Sequence, residues 1–161
     1  MGKEIIVVKR IIDAPVELVW KAWTDPALIV KWWGPQYWTS PSCKVDFREG
    51  GKFVFCMRAP KEQGGMDQYT SGIYSRIVPM ERIEFTQGMS DKDGTRVDPV
   101  SVGLPPDFPK DIRTVLEFRR IRPDMTELTI TEYDWTPGQM MVYSLAGLHQ
   151  TIDKMVKTLA T

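Results

Sequence analysis

Through the middle of the chain, apolar and polar positions alternate in three successive pairs of segments. Residues 43–48 and 52–59 form the first pair around Glu49-Gly50-Gly51, where glycine supplies the positive φ of a tight loop. Residues 69–78 and 82–87 form the second around Pro79-Met80-Glu81, and 112–121 and 125–134 the third around Arg122-Pro123-Asp124. Leu116 and Phe118 share one face of a strand, as do Leu128 and Ile130, with Thr and Glu between them. This pattern predicts an antiparallel sheet with one buried side. In the first pair, matching apolar faces sets Phe47 opposite Phe53 and Val45 opposite Phe55. Cys43 then opposes Met57 and Cys56 turns to the other face, which predicts two free thiols.

Both ends carry helical periodicity. Residues 4–12 are rich in β-branched side chains and read as a strand covered on both faces for part of its length. After Asp13-Ala14-Pro15, the residues Val16, Val19, Trp20 and Trp23 mark one face of a helix, with Asp13 or Ala14 as the expected cap. Thr24-Asp25-Pro26 repeats the cap-then-proline signal before a short helix over about 27–33, which Gly34-Pro35 ends. Near the C-terminus, Thr136-Pro137-Gly138-Gln139 reads as a capping box. Met141, Leu145, Leu148, Ile152, Met155 and Leu159 then form one stripe on a helix over 137 to about 159, roughly 35 Å long. A sheet curved to match covers such a stripe within one chain; the alternative is a homodimer.

Composition narrows the function classes. The 161 residues are 42% hydrophobic and carry 21 basic and 21 acidic side chains, so no net charge marks a nucleic-acid partner. The run Arg119, Arg120, Arg122 is split between two faces by strand alternation. No apolar run approaches the roughly 18 residues of a membrane span, and no leader pattern follows Met1, so a cytoplasmic location is the default expectation. Residues 88–111 hold three Gly, four Pro and five Asp and lack periodicity. Val102 to Pro109 mixes prolines with apolar residues, which favours a loop packed on the domain. No internal repeat or domain boundary interrupts residues 1–161.

The element order β, α, α, six strands, long α is an α+β helix-grip arrangement: a curved antiparallel sheet of about seven strands around a C-terminal helix. Particular motifs strengthen it. Ala14 to Pro26, the tryptophan pair in Lys31-Trp32-Trp33-Gly34-Pro35, the hairpin Val45 to Phe53, Gly72-Ile73-Tyr74 and Pro79 to Ile83 together resemble the Activator of Hsp90 ATPase homologue 1-like family. That family lies within the START-like (Bet v 1-like, SRPBCC) superfamily. The resemblance implies a cavity between sheet and helix that binds lipids, polyketides, plant hormones or other apolar molecules. Some branches are cyclases, dehydratases or ring-hydroxylase subunits. Eukaryotic co-chaperones with the related domain add a separate N-terminal domain for which this chain has no room, which argues against a chaperone partner.

Catalytic apparatus is sparse. His149 is the one histidine, with Asp153 four residues on; the pair reads as a general base or, more simply, as a surface pair. Ser144 is five residues before His149 and points elsewhere. Cys43, Cys56 and His149 lack close metal-ligand spacing, and Glu49-Gly50-Gly51-Lys52 lacks phosphate-loop spacing, so no metal or cofactor is expected. Glu132 shares parity with Leu128 and Ile130; it points into a pocket, or strand twist brings it to the rim beside an arginine. Six Trp, six Phe and five Tyr supply rigid walls or plain core. The expected cavity lining is Trp33, Trp38, Phe53, Phe55, Met57, Tyr74, Phe85, Leu116, Phe118, Glu132, Met141, Leu145 and Leu148. A hydrophobic ligand is the leading expectation. A cyclase or dehydratase using Glu132 or His149, and a protein-interaction module, are the alternatives.

Overall fold

A computed structural model describes residues 2–160. The elements are β1 (Glu4–Ile12), α1 (Val16–Thr24), α2 (Pro26–Trp32), β2 (Cys43–Val45), β3 (Lys52–Arg58), β4 (Asp67–Val78), β5 (Arg82–Ser90), β6 (Ile112–Arg122), β7 (Met125–Trp135) and α3 (Gln139–Leu159). Seven antiparallel strands form one curved sheet in the order β1-β7-β6-β5-β4-β3-β2. The successive strands β1 and β2 are therefore its opposite edges, and α1 and α2 connect them across the concave face. The helix-grip reading holds. Among the described residues no helix is long and apolar enough to cross a membrane.

Aromatic rings fill the end of the concave face that α1 and α2 cover. Trp20 stands edge-on to Phe118 at 5.0 Å and to Phe47 at 5.8 Å. Trp23 meets Trp32 at 4.8 Å, and the Trp32 indole N–H donates to the Ala22 carbonyl at 3.1 Å. Phe53 touches Phe55, Tyr74 and Phe85. Its ring lies over Gly72, where a Cβ would come within 2.5 Å of the ring edge, so glycine is required there. A void of about 10 Å³ remains among Trp23, Phe53, Phe55, Tyr74, Ile83, Phe85 and Leu116, at the lower limit for one water.

Helix α3 is gripped unevenly. Ile152 and Met155 are fully buried against the core, whereas Met141, Leu145, Leu148 and Leu159 are half-buried. The helix packs on α2, β1 and α1. Its grip comes from its C-terminal half, while its N-terminal half stands over a cavity.

Four local expectations are corrected. The β1 strand is an edge with one covered face: Ile6, Val8 and Ile12 are buried, and Ile5, Val7 and Ile11 are exposed. Helix α1 is capped by Pro15 with no side-chain bond, not by Asp13 or Ala14. In the first hairpin Val45 pairs with Phe53 and Cys43 with Phe55, two residues from the expected register. The cause is Phe47, which leaves the strand to pack on Trp20 and Tyr74, so that residues 46–51 form a wide loop. Face assignments survive a shift of two, and Cys43 and Cys56 are free thiols. Helix α3 starts at Gln139 without a capping box. Gly138 is its cap at φ +152°, and the Thr136 hydroxyl accepts from Lys3 Nζ instead.

Other expectations hold. Asp25 Oδ1 caps α2 by accepting from the Ala27 N–H at 2.9 Å. Arg119 pairs with Glu127 and Arg120 with Glu17 of α1, so the arginine run is split between faces.

The uneven grip sets a stability contrast. Ile152→Ala is expected to cost about 3 kcal/mol, and Leu148→Ala, already beside open space, about 1 kcal/mol. Urea unfolding of both variants checks it.

Candidate functional site

The cavity under α3 has a volume of about 410 Å³, within the range of small-molecule sites. Its sheet wall comes from Met57 of β3, Gln68 and Thr70 of β4, Gln87 and Met89 of β5, Ile112 of β6, and Glu132 and Trp135 of β7. Helix α3 contributes Met140, Tyr143, Ser144, Gly147, Leu148 and Thr151. The rim is Trp33, Gly34, Pro35 and Trp38 on one side, and Leu104 and Phe108 of the proline-rich loop on the other. That loop is packed: Phe108 stands edge-on to Trp135 at 5.4 Å.

Small residues make the space. Ser144, Gly147 and Thr151 recur at i, i+3 and i+7 beside Leu148 and keep the backbone of α3 close to the void. The Thr151 hydroxyl donates to the Gly147 carbonyl at 2.8 Å, so it adds no free donor there. The rim loop is pinned to the same helix. Lys154 Nζ donates to the carbonyls of Gly34, Pro35 and Trp38 at 3.0, 3.4 and 2.8 Å. Burial pulls its pKa below the ordinary lysine value. The Gln36 N–H donates to Gln150 Oε1 at 3.2 Å. Between these ties Tyr37 takes φ +72° and is 76% exposed, a strained residue of the same loop.

Polar groups gather on three adjacent strands. Gln87 Nε2 donates to the buried Thr114 hydroxyl at 3.0 Å, and Thr114 lies directly across from Glu132. Trp135 Nε1 donates to Glu132 Oε1 at 3.1 Å. Burial pushes the Glu132 carboxyl up to about 7, and the indole hydrogen bond offsets only part of that. Among the described residues no arginine pairs with it, so the rim pairing expected as one alternative does not form.

The expected lining residues divide into two groups. Trp33, Trp38, Met57, Glu132 and Leu148 border the cavity. Phe53, Phe55, Tyr74, Phe85, Leu116 and Phe118 belong to the packed core, because α1 and α2 close the concave face over them. Met141 and Leu145 pack against that core instead of bordering the cavity. His149 is exposed and turned toward β1, where Arg10 reaches both its ring and Asp153, at 3.2 and 2.8 Å. It forms no dyad with Asp153 and takes no part in the cavity. Gln87 was missed by sequence reasoning, although its parity with Ile83, Phe85 and Met89 placed a polar side chain on the core face.

The family model described as Activator of Hsp90 ATPase homolog 1-like protein matches residues 13–160. Solved structures share the fold along nearly the whole chain. A Nitrosomonas europaea protein is 26% identical, with TM-score 0.74, over 97% of this chain and 94% of its own. An AHSA1-like protein from Aeromonas hydrophila is 22% identical, with TM-score 0.71, over 98% and 92%. An AHSA1 protein from Silicibacter pomeroyi is 18% identical, with TM-score 0.74, over 98% of both chains. No curated protein matches the sequence.

Glu132 makes stability depend on pH. Its folded pKa, about 7, lies above its unfolded value. The folded state therefore holds a proton that the unfolded chain releases, and this contribution is lost as pH rises through about 7. The loss is about 3 kcal/mol. Glu132→Gln is expected to flatten the decline, with urea unfolding at acidic and alkaline pH as the measurement.

Proposed function

The chain belongs to the Activator of Hsp90 ATPase homolog 1-like family, and from the cavity under α3 we propose that it binds a hydrophobic small molecule there. The observation that carries this reading is the 410 Å³ space itself. Its wall is mainly apolar and, Ile112 and Trp135 aside, is built from residues outside the buried core cluster. Aromatic and methionine side chains form the sides, as suits a flat or flexible apolar ligand. A few polar groups at the sheet orient it. Exposed Tyr143 of α3 borders the cavity.

Binding of this kind needs no reaction. The placement of Glu132 supports a second reading, in which a carboxyl poised near neutrality acts as an acid or base on the bound molecule. This is the cyclase- or dehydratase-type alternative with His149 removed from it.

A thermal-shift screen with lipids, flavonoids and aromatic polyketides tests the binding reading. A ligand at about a hundred times its Kd adds about 2.7 kcal/mol, which raises Tm by about 5–10 °C in a chain of this size. Gly147→Phe places a ring in the void. Its Cβ meets only Pro35 Cβ at 3.9 Å, an ordinary contact, so the fold accommodates the change. The variant is expected to unfold at or above the parent's temperature and to lose the ligand shift. An equal ligand shift in this variant, or none from any compound with the parent, contradicts the reading.

A further inference from the structure

Among the described residues, the wall of the cavity contains one carboxyl and no lysine, arginine or histidine. Other half-buried carboxylates of the sheet are answered by arginine, among them Glu84 by Arg82 at 2.7 Å and Arg113 at 3.1 Å, and Glu127 by Arg119 at 3.2 Å. Those arginines hold both groups below the ordinary carboxylate range. Glu132 has only the Trp135 indole, on Oε1. Oε2 has no protein partner among the described residues. The same cavity is lined by Trp135, with Phe108 edge-on to it, and by Trp33 and Trp38 at the rim. Aromatic faces carry negative charge density and attract cations. One unanswered carboxyl within aromatic walls is a setting for a cation and a poor one for an anion.

We propose that the cavity takes an amphipathic amine, with its ammonium on Oε2 of Glu132 and its apolar body among Trp33, Trp38, Phe108 and Leu148. This rests on the reading of the cavity as a binding site and names the chemistry of its ligand. The ammonium supplies the partner that arginine supplies to Glu84 and Glu127. Fatty acids and other carboxylates are disfavoured, because they bring a second negative charge with no cation to meet it.

The surroundings of Glu132 leave its charge state to the ligand. Across the sheet it faces Ile6 of β1 and Thr114 of β6, neither titratable. From α3 the titratable group at the cavity is Tyr143, and from the loop at 91–111 the wall residues are Leu104 and Phe108. Asp107 on that loop lies against Gly138. Desolvation and the Trp135 hydrogen bond set the Glu132 pKa, with no charged neighbour contributing. An ammonium binds the ionised form, so binding releases a proton wherever Glu132 starts protonated. Affinity for an amine therefore rises with pH through about 7.

Titration calorimetry with 2-naphthylmethylamine, 2-naphthylmethanol and 2-naphthoate tests this on the full chain, since the three share one aromatic body. At about pH 8 the amine is expected to bind about tenfold more tightly than the alcohol, with the acid weakest. Amine affinity is expected to fall about tenfold by about pH 6 as Glu132 takes up its proton. Glu132→Gln should bring the amine to the level of the alcohol and leave the alcohol unchanged, which also shows that the variant keeps its cavity. An alcohol or acid that equals the amine overturns the proposal. So does an amine preference that survives Glu132→Gln, or an affinity that falls as pH rises. If none of the three binds while a compound from the thermal-shift screen does, the amine assignment fails and the binding reading stands. If nothing binds in either experiment, both fail.

Discussion

The fold depends on one constraint: a curved sheet has a concave face, and successive strands on its opposite edges must be joined across it. The chain leaves β1, crosses through α1 and α2 and enters β2 at the far side. Two helices of nine and seven residues span the gap but cover only part of the strands. Their tryptophans fix which part. Trp20 lies on Phe118, and Trp32 is buried between Trp23 and the rim residue Trp33. Where the helices stop, the face stays open, and α3 spans it with its C-terminal half anchored. The cavity is what remains between a long helix and the uncovered end of the sheet.

Lys154 links these parts. A lysine half-buried at a helix–loop junction loses hydration, and three backbone carbonyls replace it. The rim loop after α2 is thereby bound to the part of α3 that the core already holds. Tyr37 can then occupy a positive φ that it would relax from if the loop were free. The order of causes runs from core to helix to loop.

Much of this was legible from residue spacing. Alternation identified the three hairpins, and the stripe from Met141 to Leu159 identified the helix. What alternation conveys is the face of a residue and not its level along the strand. Phe85 and Gln87 share a face, yet one lies under the helices and the other borders the cavity. That difference depends on where α1 and α2 end, which is a tertiary fact. The register of the first hairpin failed for a related reason. Phe47 is apolar because it packs on Trp20 and Tyr74 from a loop, and a side-chain pattern does not separate that from a strand position. The capping box failed because α3 begins at Gln139 with Gly138 as its cap, two residues past Thr136, whose hydroxyl accepts from Lys3 Nζ. A sharper signal was present in the polar residues. Gln87, Thr114 and Glu132 interrupt three apolar faces; the β6–β7 register sets Thr114 directly across from Glu132, and Gln87, one step along its own face, reaches Thr114 diagonally through Nε2.

The separation of core from cavity has a physical consequence for the family. Residues that hold the fold, such as Phe53, Phe118, Ile152 and Trp32, contribute little or nothing to the cavity wall. Residues of the wall, such as Gln87, Met89, Leu104 and Ser144, sit where a change of side chain leaves the core contacts intact. Stability and ligand choice thus draw on largely different positions, and one backbone can host different pockets. Ile112 and Trp135 serve both, and Glu132 is bonded to the second of them. Burial disfavours the charged form of Glu132, and the indole of Trp135 satisfies only one of its oxygens. Under the binding reading proposed above, the second oxygen finds its partner in whatever enters the cavity, so the carboxyl that loses hydration in the free fold is the one placed to select what it holds.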